Sequence, residues 1–195
     1  MAYDYHVLLA VIGSCCGLLG YALYFRSIFL GATKPHIFTW FVYGLIDGIV
    51  FVAQLFEGGG PGAWVTLVGV VANLMVAVLS IWYGEKHITK SDWTIFTGAL
   101  LAIVLWRMTS NPLLAVAIAT IANTLGLVPT FRKAYMKPFE ESISIWSLDV
   151  LRFGLAIPAL SAITFTTVLF PIDVVIINSA LAIMILIRRR TVSPS

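Results

Sequence analysis

Charge is what this chain lacks. Only 11% of its 195 residues are Asp, Glu, Lys or Arg, 60% are hydrophobic, and the mean hydropathy is +0.98. A soluble domain carries roughly 25% charged residues, and long uncharged stretches need lipid as their solvent. Cysteine is equally scarce. Cys15 and Cys16 are neighbours, where a disulfide is strained, so they read as small packing residues, with a redox pair or palmitoylation as the minority alternative. His6, His36 and His87 lie outside the apolar stretches and far apart, so no metal site is expected. The glycines at 58–62 have no lysine to make a phosphate loop. The last lysine is Lys137, so the final apolar stretch lacks the amine of a retinal Schiff base. No nucleophile–base pattern emerges from spacing. An enzyme is not indicated, and no cofactor is implied. The net charge of +3 is no nucleic-acid signature, and the first apolar stretch lacks the basic n-region of a cleavable signal.

What is present is a series of apolar spans. Seven helices are predicted, at about 7–30, 36–56, 63–83, 92–108, 112–131, 142–166 and 169–187. Each is of a length to cross a hydrocarbon core of about 30 Å. Turn chemistry separates them: Gly31 to Pro35, Gly58 to Gly62, and Ser110-Asn111-Pro112. Pro112 and Pro171 are expected at helix starts, where a missing N–H costs nothing. Gly13, Gly17 and Gly20 on the first span, with Gly44 and Gly48 on the second, predict close intramolecular helix packing.

Basic residues orient the spans. Arg26, Lys34, Lys86, Lys90, Arg132, Lys133, Lys137 and Arg188 to Arg190 fall on one side, and Arg107 on the other. The positive-inside rule then puts the N-terminus outside and the C-terminus in the cytoplasm, in a plasma or inner membrane. Trp40, Trp82, Trp93 and Trp146 near one set of helix ends, and Trp64 and Trp106 near the other, read as an aromatic belt.

The chain also repeats itself. Leu23 to Gly48 returns without a gap as Pro129 to Gly154, at an offset of 106. Phe25/Phe131, Arg26/Arg132, Ile37/Ile143, Trp40/Trp146, Leu45/Leu151 and Gly48/Gly154 coincide. Such repetition predicts an all-α membrane protein of two parallel three-helix repeats, 1–90 and 111–190, joined by a linker helix at 91–110 and followed by a tail at 191–195.

Four polar side chains fall near the predicted midplane. At about 1.5 Å per residue, Asp47 lies roughly 17 Å and Arg152 about 15 Å from one surface, with Asn73 about 15 Å and Asn178 about 14 Å from the other. Charges at that depth mark a pathway or a structural pair. Arg152 and Asp47, with Asn73 and Asn178, are the candidate substrate-binding residues. Asp47 and Asp149 are the candidates for a coupling proton, because an apolar medium disfavours the charged carboxylate. The alternatives are a permanent Asp–Arg lock and interhelical hydrogen-bond glue. Pro129 and Pro158 are candidate hinges.

Val128-Pro129-Thr130-Phe131-Arg132-Lys133 through Ser142-Ile143-Ser144-Ile145-Trp146 resembles a PQ-loop motif, with Thr130 in place of its glutamine. The 3+1+3 plan resembles the PQ-loop and SWEET-type transporters. That resemblance implies alternating access, hinge prolines, and a site pairing an Asn from the third helix of each half with an aromatic. Asn73 and Asn178 match the asparagines; Phe51 and Phe165 are the nearest aromatics. The expected function is therefore a small-solute carrier in the lipid bilayer, with or without a coupled proton. A vitamin-precursor carrier of the same design, a PQ-loop-type receptor, and a structural membrane subunit are the alternatives. A homo-oligomer stays open.

Overall fold

The computed structural model describes residues 4–35, 37–84, 111–136 and 138–192, with 90, 93–94, 96–98, 100–101 and 104 between them; the side chains of 129, 132, 133 and 140 are outside that description. All described secondary structure is helical. Six long helices carry it: α1 Tyr5–Phe29, α2 Ile37–Phe56, α3 Pro61–Tyr83, α4 Pro112–Met136, α5 Ile143–Ala159 and α6 Phe165–Thr191. A 3-10 turn, Pro138–Glu140, links α4 to α5. Among the described residues, α1, α2, α3 and α6 are long and apolar enough to cross a membrane, and α4 holds a shorter apolar stretch, Pro112–Val128. The span expected at 92–108 lies mostly outside the described residues; those described within it are helical.

The outer surface is apolar. Leu18 of α1, Val71 of α3, Ile121 of α4 and Ile176 of α6 are each more than half exposed. A helix that is apolar on every face belongs in a large core or a membrane, so these helices are compatible with a multi-pass membrane protein.

Several boundaries differ from the sequence expectation: α4 runs on to Met136, not 131, α6 runs on to Thr191, not 187, and the break between α5 and α6 moves. The sixth span was expected to run to 166, but α5 ends at Ala159 and Leu160 turns extended. Pro158 lies in that last turn, and proline cannot donate the next helical hydrogen bond. At 17 residues α5 is about 25 Å long, shorter than a core of about 30 Å. The last helix begins at Phe165, not 169, because Thr164 caps it: its side chain accepts from the Thr167 N–H while the Thr167 hydroxyl accepts from the Thr164 N–H. Pro171 is therefore inside α6, not at its start. A proline there leaves the Thr167 carbonyl, one turn back, without its helical donor. Gln54 supplies one. Its Nε2 donates to Thr167 O at 2.9 Å, and its Oε1 accepts from the Thr66 hydroxyl at 2.9 Å. Gln54, Thr66 and Thr167 are fully buried. Next to them Ser161 N–H donates to Gly59 O, which ties the α2–α3 turn to the α5–α6 turn.

The opposite end is held by the last arginines. Arg188 Nε donates to Tyr135 O near the end of α4, and Arg189 donates to Pro138 O and Glu141 O. Both guanidiniums also lie over rings, of Tyr135 and Phe139. Helix-end carbonyls lack internal donors, so this stretch fastens the α4–α5 connection.

The packing positions the interior. α3 packs on α1 and α2, and α6 on α4 and α5. Between these two groups, α1 packs on α5 and α2 on α4, with α3–α5 and α2–α6 contacts beside them. The expected glycine face of α1 meets α5 closely: Gly13 faces the Arg152 carbonyl and Gly20 faces Ile145 and Leu148.

Candidate functional site

Arg152 anchors the site. It is 1% exposed, although a lone charge in such a place costs several kcal/mol. Its side chain leaves α5 and passes α1 at Gly17, where a Cβ would come within 2.7 Å of Arg152 Cδ. It then reaches α3. Nε and Nη2 both donate to Val65 O, at 3.4 and 3.2 Å. A Cβ at Gly69 would collide with Arg152 Nη2 and Asp47 Oδ2, so the glycine lets these groups meet against the helix backbone. Nη1 donates to Asp149 Oδ1 at 2.9 Å and to the Tyr21 hydroxyl at 3.4 Å. Nη2 lies 3.8 Å from Asp47 Oδ2. The ring of Phe153 lies 4.4 Å from the guanidinium carbon.

Each carboxylate has an asparagine. Asn73 Nδ2 donates to Asp47 Oδ2 at 3.1 Å, and Asn178 Nδ2 donates to Asp149 Oδ2 at 3.0 Å. Tyr21 closes the circuit by donating to Asn73 Oδ1 at 2.7 Å. Helices α1, α2, α3, α5 and α6 thus meet in one polar network. Buried polar groups in a low dielectric stabilise when satisfied and destabilise sharply when not, so the network holds these helices in register.

Asp47, Asn73, Asp149, Arg152 and Asn178 all line one cavity of about 50 Å³. That is room for a few water molecules. Exposure falls along it. Trp40, Tyr43, Ile145 and Trp146 are half-buried, near the α1–α2 and α4–α5 connections, while Phe153 and Phe170 are buried and meet edge to face at 5.6 Å. The Asp149 side chain is 23% exposed and that of Asp47 7%. The cavity therefore approaches the surface at the connection end and is sealed toward Gln54.

The tryptophans need a correction. Trp64, Trp82 and Trp93 are exposed as a belt requires, but Trp40 and Trp146 line the cavity. Helix rotation turns both inward, and Trp40 packs against Tyr21, Tyr24 and Tyr43. Asp173 is a further membrane-depth carboxylate, on α6. It accepts from Asn123 Nδ2 at 3.1 Å and the Thr124 hydroxyl at 2.7 Å. Pro129 lies inside α4, its side chain outside the described ones, and Pro158 lies in the last turn of α5, outside the network. Phe51 packs on Trp64 and Phe165 is 79% exposed, so neither aromatic joins the site.

Sequence reasoning missed Tyr21, Trp40 and Trp146. The signal for the tryptophans was in the repeat: they coincide at the offset of 106. Among the described residues, no group of His, Cys, Asp or Glu is arranged to hold a metal. Compared with family models, curated proteins and solved structures, the chain gives no match.

Proposed function

We propose that the chain is a small-solute membrane transporter of the PQ-loop or SWEET-type design, working by alternating access between two parallel three-helix repeats. The observation that carries this reading is the cavity itself: two Asp–Asn pairs and one Arg, drawn from both groups of helices, converge on a single half-open space. Intramembrane ionisable groups of this kind ordinarily mark a substrate or ion path.

The repeat reading has its own support. α4, α5 and α6 start 107, 106 and 104 residues after α1, α2 and α3. Exchanging α1 with α4, α2 with α5 and α3 with α6 turns the α1–α3 contact into α4–α6, α2–α3 into α5–α6, α1–α5 into α2–α4, and α3–α5 into α2–α6. Every one of those contacts is present. In this reading 92–108 is the linker helix, which keeps both repeats in the same orientation. The positive-inside assignment makes the half-open side cytoplasmic, so this conformation faces inward. Turnover to the outward-facing form breaks the Gln54–Thr167 seal and closes the Trp40–Trp146 end, with Pro129 and Pro158 as the bending points. Substrate binds among Asp47, Asn73, Arg152 and Asn178, and Asp47 or Asp149 carries any coupled proton.

The test is uptake by the purified chain in liposomes, over sugars, amino acids and vitamins, with and without a pH gradient. Asp47→Asn and Arg152→Gln are run beside it, with thermal unfolding as the check on folding. Uptake at the level of empty liposomes is expected from folded Asp47→Asn. Normal uptake by both variants would remove the proposed site. One observation favours a structural subunit instead: Arg152 makes its hydrogen bonds within the protein. In that case the variants lose stability and the folded wild-type chain takes up nothing.

A further inference from the structure

We infer that the cavity takes a small organic cation, and that a proton and the positive charge of the cation occupy it in turn. The inference rests on the transport reading and names its substrate class.

The first argument is charge. Among the described residues, Asp47 and Asp149 face one cation, Arg152. With all three ionised, the cluster is one positive charge short. The other described groups around it do not make up the difference. Tyr21 and Tyr43 present hydroxyls, Asn73 and Asn178 carboxamides, and beyond Asn123 lies a further carboxylate, Asp173. A surplus negative charge in low dielectric demands a partner. A bound proton or a bound cation supplies it, and either one disfavours the other. An anionic ligand meets the opposite situation, because Arg152 already binds Asp149, Tyr21 and Val65.

The second argument is the wall. Tyr21, Trp40, Tyr43, Trp146 and Phe170 line the cavity beside the carboxylates. Ring faces attract cations, and aromatic cages are a recurring means of holding quaternary ammonium groups. The third is an orphan donor. Trp146 Nε1 is buried without a hydrogen-bond partner, in a residue that lines the cavity. A buried donor left unpaired is costly, and an oxygen carried by the ligand would satisfy it. A cation bearing a hydroxyl or carbonyl fits all three observations. At about 50 Å³ the cavity admits it only when the Trp40–Trp146 end widens, which is the step alternating access provides.

The test uses the full chain in liposomes of zwitterionic phospholipid loaded with a pH-sensitive dye. Choline, N-methylpyridinium, the uncharged carbon isostere of choline, and sugars are added outside in turn. Cation uptake with alkalinisation of the lumen is expected, because a proton leaves as a cation enters. Asp149→Asn, close to isosteric and at the more exposed carboxylate, abolishes both signals. Should that variant misfold, choline binding to the wild type is followed by tryptophan fluorescence; its affinity should fall about tenfold for each pH unit once the site is protonated. Equal uptake of the uncharged isostere, pH-independent choline binding, or cation uptake without proton movement overturns the exchange. Uptake of a sugar but of no cation overturns the substrate class and leaves the transport reading standing. If no solute of any class moves while the chain stays folded, the transport reading falls, and this inference falls with it.

Discussion

The first three helices and the last three each build half of the same polar unit, but not from equivalent residues. α2 and α3 contribute Asp47 and Asn73; α5 and α6 contribute Asp149 and Asn178. The asparagines are 105 residues apart and the aspartates 102, against a repeat offset of 106. Four residues is about one helical turn, so the second aspartate stays on the same face one turn along. The remainder differs. Arg152 has Ile46 as its counterpart at the repeat offset, Tyr21 has Leu127, and Gly17 has Asn123. Gly17 opens the space that Arg152 crosses, whereas Asn123 turns to Asp173. One guanidinium therefore serves two carboxylates, and the more exposed of these is Asp149. The lesson is that a near-symmetric packing of helices holds an asymmetric charge.

Three changes would break or sharpen that comparison. The largest effect is expected from Arg152→Gln, which strands two buried carboxylates. Losing one partner of a buried pair costs about 3–5 kcal/mol, read as a lower midpoint in denaturant unfolding in detergent. Adding Asp149→Asn to that background should restore part of the loss; no recovery would mean that the charge balance is not what Arg152 supplies. Next is Gly17→Ala, which pushes a methyl against Arg152 Cδ. Overpacking of this kind costs about 1–3 kcal/mol, whereas Gly48→Ala, with nothing within 4 Å of the added carbon, should be neutral or slightly stabilising. Equal effects at both glycines would refute the close approach. The smallest is Tyr21→Phe, which removes the donor to Asn73 and the acceptor for Arg152. A loss of about 0.5–1.5 kcal/mol is expected, together with a change in uptake if Asn73 depends on Tyr21 for its orientation.

Much of the frame was legible in the sequence because its causes are local. Apolar length marked the helices, Gly and Pro marked the turns, and depth counting singled out Asp47, Asn73, Arg152 and Asn178, with Asp149 one turn from Arg152. The boundaries around Pro158 and Thr164 were less legible. An apolar run continues through 160–163 although the backbone leaves the helix there, so hydropathy conceals the break. At the repeat offset Asp47 falls on Phe153, which hides its correspondence with Asp149. The inward turn of Trp40 and Trp146 was hidden as well, because tryptophan near a helix end suits a membrane interface and a cavity mouth equally well.

By itself the sequence determined that the chain is helical and apolar, where most helices run, and which few polar groups lie deep within them. These follow from composition, turn chemistry and rise per residue, which need no neighbours. Only the tertiary structure decided that Arg152 crosses Gly17 to reach Val65, that each aspartate takes its own asparagine, and that Gln54 makes good the hydrogen bond Pro171 cannot donate. Those partners lie between 26 and 135 residues apart, and only helix rotation and packing bring them within hydrogen-bond reach.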